Sequence, residues 1–75
     1  MSANEGTSPV NRIGEVAGLV WQYLQGNGPV SVAGLAQELD RPRDLVMQAI
    51  GWLAREGKVE ITETGRSKTI ALKGL

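Results

Sequence analysis

The sequence of 75 residues contains neither cysteine nor histidine. The absence of cysteine excludes disulfides and thiolate metal ligands, and the absence of histidine removes the usual zinc ligand and the usual general base near neutral pH. No pair of carboxylates has a spacing suited to a metal or to acid–base chemistry, and no glycine-rich phosphate loop follows a strand. We therefore expect a protein that is not an enzyme and that holds neither a metal nor a cofactor.

An excess of either charge is also missing. Eight lysines and arginines balance eight aspartates and glutamates, so the formal net charge is zero. Such a balance argues against a protein that holds nucleic acid through bulk electrostatic attraction alone. No apolar stretch approaches the roughly 18–20 residues that span a bilayer, and the first nine residues lack the basic start and the apolar run of a signal peptide. The expected location is the cytoplasm, with no membrane partner.

The composition that remains is typical of a small globular domain. Hydrophobic residues make up 41% of the chain and charged residues 21%. A chain of this length buries only about 60% of the surface that it exposes when unfolded, so its core must be small. We expect a disordered tail over residues 1–9 and one folded domain over residues 10–75.

The spacing of apolar residues predicts three helices. The first is expected over residues 12–25 with Asn11 as its N-cap, and the second over residues 32–39 with Ser31 as its N-cap. The third is expected from Pro42 to about residue 56, with Gly57 as the left-handed residue that ends it. The side chains expected in the core are Ile13, Val16, Ala17, Val20, Tyr23, Leu24, Val32, Leu35, Ala36, Leu39, Leu45, Val46, Ala49, Ile50, Trp52 and Leu53.

After Gly57 the pattern changes from helix to strand. Polar and apolar residues alternate over residues 58–62 and again over residues 68–73, which predicts a β-hairpin. Residues 63–67, with Gly65 near the tip, are expected to form a five-residue loop. Val30, just before the second helix, can pair with the hairpin as an edge strand and complete a three-stranded sheet.

This order of elements predicts an α+β domain, mainly α, of the winged helix-turn-helix type. Two short helices joined by three or four residues form the helix-turn-helix, and the C-terminal hairpin forms the wing. A generic α+β mini-domain without a relation to DNA-binding folds is the alternative.

Two segments carry a resemblance to a known family. These are IGEVAGLVW at residues 13–21 and AIGWLAREGKV at residues 49–59, and the second is the more specific. They resemble a family of small bacterial and archaeal proteins described as a winged helix-turn-helix domain of unknown function. The resemblance covers about residues 12–61. It implies the fold and a DNA-binding ancestry, and it implies no particular target.

The third helix offers a candidate DNA-reading face. In a helix-turn-helix that reads DNA, the second helix of the motif lies in the major groove. On the face opposite the core, Arg43 and Gln48 suit the edges of guanine and adenine. Phosphate contacts are expected from the nearby basic residues Arg41, Arg55, Arg66 and Lys68. The predicted function is the binding of double-stranded DNA, as in a transcriptional regulator, and the alternative is that these are ordinary solvated side chains.

A second function is suggested by the middle of the same face. Met47, Gly51 and Ala54 offer almost no hydrogen-bonding capacity, and a glycine inside a helix costs roughly 1 kcal/mol relative to alanine. Close approach of another backbone, either from the first helix or from a partner chain, would explain Gly51. The alternative function is therefore a protein-interaction or homodimerisation module without DNA binding, with these three residues at its interface. Trp21 and Trp52 are expected at the edge of the core, with a role as interface anchors as the alternative.

Overall fold

The computed structural model describes residues 8–73. These residues form three helices and a three-stranded antiparallel sheet with the strand order β1-β3-β2. The predicted α+β architecture, a helix-turn-helix followed by a hairpin with an added edge strand, is confirmed. The elements in chain order are α1 (Pro9–Asn27), β1 (Val30–Ser31), α2 (Val32–Leu39), α3 (Arg43–Arg55), β2 (Val59–Thr64) and β3 (Ser67–Leu72).

Helix α1 begins three residues earlier than predicted. Its N-cap is Ser8, whose side chain accepts the backbone N–H of Asn11 at 3.1 Å, so Asn11 is inside the helix and not its cap. Pro9 occupies the first turn, where a missing N–H costs nothing. The tail predicted over residues 1–9 therefore overlaps the cap and the first turn of α1, and its first seven residues lie outside the described part of the chain.

The helix-turn-helix follows the prediction closely. Helix α2 has the predicted bounds, and the side chain of Ser31 accepts the backbone N–H of Gly34 at 3.0 Å. Asp40 ends α2 in a left-handed conformation with φ 56. The side chain of Arg41 then turns back and donates to the carbonyl oxygen of Leu39 at 3.1 Å. Helix α3 begins one residue after the predicted Pro42, which serves as its N-cap residue.

The hairpin differs from the prediction at its tip. Strands β2 and β3 pair from Val59 opposite Leu72 to Thr64 opposite Ser67, so the connection has two residues and the predicted five-residue loop was wrong. The alternating pattern continues to Thr64, and Gly65 then supplies the positive φ, 59, that a two-residue hairpin requires.

The core lies between the three helices and one face of the sheet. Helix α1 packs mainly against α3, and the central strand β3 contributes Ile70, which is fully buried. Trp52, predicted at the edge of the core, keeps 38% of its surface exposed. This packing fixes which side of α3 faces outward. The buried residues are Val16, Ala17, Val20, Leu24, Val32, Leu35, Val46, Ala49, Ile50, Leu53, Val59 and Ile70.

Candidate nucleic-acid interface

The outward side of α3 is a stripe of four exposed residues. They follow one another at intervals of four, three and four positions, which places them on one face at about 100° per residue. This face is opposite the buried residues of the same helix. We call it the outer stripe, and its members are Asp44, Gln48, Gly51 and Arg55.

A basic cleft lies beside α3, where the hairpin approaches the start of α2. Its volume is about 190 Å³. Arg43 enters it from the first turn of α3, and Arg66 and Lys68 enter it from the hairpin. The structure thus brings together three of the six residues predicted to contact DNA. The residues that line this basic cleft are Ser31, Val32, Ala33, Arg43, Arg66, Ser67 and Lys68.

The start of α2 adds to the positive potential of the basic cleft. The first amide groups of a helix have no acceptor within the helix, and the helix dipole places about half a positive charge there. The side chain of Ser31 satisfies one of these amides, that of Gly34. None of the described residues that line the cleft is acidic. Outside the lining, the carboxylate of Glu63 lies 3.8 Å from Nζ of Lys68, across the hairpin. The arrangement suits an anion.

The other three predicted DNA contacts lie elsewhere. Arg41 and Gln48 line a larger cleft of about 580 Å³ on the side of α3 that faces α1, together with Arg12 and Glu15. Arg41 is also held by the carbonyl of Leu39, so it closes the end of α2. Arg55, the third of these predicted contacts, is exposed at the C-terminal end of the outer stripe.

The predicted interface strip does not form one exposed surface. Met47 and Ala54 are half-buried and pack against the core, and of the three residues only Gly51 is exposed. A Cβ atom added to Gly51 would meet nothing within 4 Å, so close approach of α1 does not explain this glycine. Around the helix axis Met47 lies about 40° and Ala54 about 60° from Gly51, both on the flank toward Arg43 and the hairpin.

A groove lies between α1 and α3, with the two tryptophans that the sequence analysis considered as interface anchors on its walls and the ion pair of Lys58 and Glu56 (3.6 Å) in its lining. We call it the tryptophan groove; its volume is about 300 Å³. Trp21 and Trp52 are each 38% exposed on its walls, and Gly14 and Gly18 form its α1 side. Nζ of Lys58 lies 5.9 Å from the ring centroid of Trp21. The sequence signal for this groove is the spacing of Gly14, Gly18 and Trp21, which places all three on one face of α1.

Within residues 8–73, no group of acidic, histidine or cysteine side chains has a geometry that could hold a metal ion. None of the helices in this part of the chain is both long and apolar enough to cross a membrane.

Several solved structures resemble the fold. A structure of HOP2, reported with its DNA recognition and protein interaction domains, matches with a TM-score of 0.72 and 27% identity, covering 77% of this chain and 98% of that chain. A transcriptional regulator of the ArsR family matches with a TM-score of 0.64 and 24% identity, over 87% of this chain and 71% of the other. HlyU from Vibrio cholerae matches with a TM-score of 0.65 and 18% identity, covering 99% of this chain and 83% of HlyU. The last two likenesses show the fold alone, which is that of a winged helix.

Sequence comparison identifies the family. An uncharacterised protein of Methanocaldococcus jannaschii is 35% identical over 65 residues, which are 83% of this chain and 91% of that protein. The model of the winged helix-turn-helix domain DUF2582 matches residues 7–72. This range includes both helices of the helix-turn-helix, the hairpin and every residue of the basic cleft. The chain belongs to the DUF2582 family of winged helix-turn-helix domains.

Proposed function

We propose that this domain binds double-stranded DNA, with the outer stripe of α3 toward the major groove and the basic cleft on the phosphate backbone. The observation that carries the proposal is the meeting of Arg43, Arg66 and Lys68 at the start of α2. Helix N-termini and basic side chains are the groups that hold phosphates in protein–DNA complexes.

The position of Arg43 changes its expected role. Its side chain lines the basic cleft beside the hairpin, about 110° around α3 from the outer stripe. We therefore propose that Arg43 contacts a phosphate and not a guanine edge. Gln48 and Arg55 are the members of the outer stripe that face the groove with hydrogen-bonding capacity. Arg41 acts by holding the turn between α2 and α3.

The comparisons support DNA binding without assigning a site. HOP2 is described as having a DNA recognition domain, and a regulator of transcription shares the fold. The zero net charge of this chain favours modest affinity, in the range of about 10⁻⁴–10⁻⁶ M that is usual for binding through phosphates.

The test is a fluorescence-anisotropy titration of a labelled duplex at several salt concentrations. Three cations that each neutralise a phosphate give a log–log slope of the binding constant against salt of about −2.7. Replacing both Arg43 and Arg66 by alanine should reduce the affinity and bring the slope to about −0.9. Absence of binding at low salt contradicts the proposal, and an unchanged slope in the double variant removes the basic cleft from it.

A second candidate function, self-association, is favoured by the tryptophan groove. Gly14 and Gly18 each leave open space where a Cβ would lie, beside two half-exposed tryptophans. Tryptophan is enriched at binding interfaces. In a two-fold dimer the same patch of both copies meets, so the patch must be complementary to itself in shape. We propose that two copies associate here, with Trp21 of each copy packed against Gly14 and Gly18 of the other.

The chain offers a matched pair of variants for this second candidate. Gly18 and Gly51 are both exposed helix residues where a Cβ would meet no atom within 4 Å, so we expect leucine at either position to leave the monomer folded, which circular dichroism checks. In sedimentation equilibrium, Gly18→Leu should abolish association and Gly51→Leu should leave it unchanged. The opposite result would assign the interface to the surface around Gly51, and a monomer at every concentration would exclude self-association.

A further inference from the structure

The outer stripe of α3 has little capacity to read bases. Base edges are read by side chains that donate and accept hydrogen bonds in fixed pairs. Gly51 has no side chain to contribute, and the carboxylate of Asp44 has the same sign of charge as the phosphates. Oδ1 of Asp44 also accepts the backbone N–H of Leu45 at 2.9 Å, which ties this side chain to the first turn of α3.

The two remaining residues of the stripe are far apart. Gln48 and Arg55 are separated by seven positions, or about 10.5 Å along the helix axis. Recognition helices read bases mainly with their N-terminal residues, and Arg55 is the last residue of α3. Gln48 also lines the cleft toward α1, beside Arg12 and Glu15. In its first turns the outer stripe thus presents one carboxamide, and one carboxylate that repels phosphates and is tied to the start of the helix.

Three of the eight lysines and arginines meet in the basic cleft, which the proposed function places on the phosphate backbone. Arg43, Arg66 and Lys68 line the basic cleft, together with the positive end of α2 and without an acidic residue among the described lining. Phosphates are chemically identical in every sequence, so contacts to them fix the position of a protein on the duplex and carry no sequence information.

We infer that the domain binds duplex DNA through its backbone and does not discriminate between base sequences. The inference rests on the proposed function and narrows its substrate to duplex DNA of any sequence. The contrast between a poor base-reading stripe on α3 and the basic cleft beside it, which α3 shares with the hairpin and the start of α2, carries the inference.

The test compares dissociation constants for labelled 20-base-pair duplexes. The set contains an A·T duplex, a G·C duplex, a mixed duplex and the tightest-binding member selected from a random pool. One good bidentate base contact gives roughly 5-fold to 150-fold discrimination. We expect all four constants to agree within about fivefold, below the effect of a single such contact. A larger spread overturns the inference and leaves the proposed function standing, whereas failure of every duplex to bind refutes the proposed function itself.

Two exposed variants separate the backbone contacts from base reading. Arg66→Ala should raise the dissociation constant by the same factor for every duplex. Gln48→Ala should leave the ratios between duplexes unchanged, whatever it does to each constant. A ratio that shifts with Gln48→Ala shows that the carboxamide reads a base and overturns the inference. Circular dichroism checks that both variants remain folded.

Discussion

Replacement of Gly51 by alanine is expected to stabilise the domain. Gly51 lies inside α3, is exposed, and has no atom within 4 Å of the place where a Cβ would lie. The substitution therefore adds no clash and removes the backbone entropy cost of glycine, which is about 1 kcal/mol in a helix interior. For a domain of 60–100 residues this free energy corresponds to a rise in the melting temperature of about 4–8 °C.

The matched control is the same substitution at Gly57. This glycine is also exposed and also has open space around it, but its φ is +75. An L-residue in that left-handed conformation costs roughly 1–2 kcal/mol, so Gly57→Ala should lower the melting temperature. Thermal and urea unfolding, followed by circular dichroism, measure both. A destabilising Gly51→Ala, or a stabilising Gly57→Ala, would refute the assignment of the two backbone conformations.

Three further variants test the interface and the core. Glu63→Gln removes the carboxylate that lies 3.8 Å from Nζ of Lys68. It should strengthen DNA binding by about fivefold at most, because two such charges in water interact by about 1 kcal/mol. Weaker binding of the variant in a DNA titration would contradict this. Ser31→Ala removes the acceptor of the Gly34 amide and should cost about 1 kcal/mol in urea unfolding, whereas no loss would show that the cap is dispensable. Ile70→Ala, at a fully buried site of the central strand, should cost about 2–5 kcal/mol, and a cost below about 1 kcal/mol would place this residue outside the core.

The features that the sequence predicted well are those that local chemistry encodes. The bounds of α2 follow from the cap at Ser31, and the left-handed Gly57 follows from its place after an apolar helical pattern. The start of α1 was missed because Ser8 and Asn11 are both good N-caps, and the choice falls to Ser8 because Pro9 suits the first turn. The tip of the hairpin was missed because a polar strand at a hairpin end looks like a loop.

The candidate site depends on packing that no local pattern encodes. The sequence predicted Arg43, Arg66 and Lys68 among the DNA contacts, and the basic cleft brings these three together. It did not predict that Met47 and Ala54 are half-buried, because that depends on the core packing against the flank of α3. The DNA-binding role of the three basic residues and the interface role of Met47 and Ala54 stay predictions.

A control for the basic cleft lies just beyond the strand that carries one of its cations. Lys68 lines the cleft, and Lys73 is exposed just beyond the other end of β3. Five residues of extended chain separate them, or about 17 Å. This is about twice the screening length of about 8 Å at physiological salt. The two alanine variants therefore remove the same charge inside and outside the proposed site.

The most direct test of the proposed DNA contact is the salt dependence of duplex binding by Lys68→Ala and Lys73→Ala, measured side by side by fluorescence anisotropy. We expect Lys68→Ala to weaken binding and to reduce the magnitude of the log–log slope by about 1, and Lys73→Ala to match the parent chain. Equal effects of the two substitutions, or a loss only with Lys73→Ala, would contradict binding of the DNA backbone in the basic cleft.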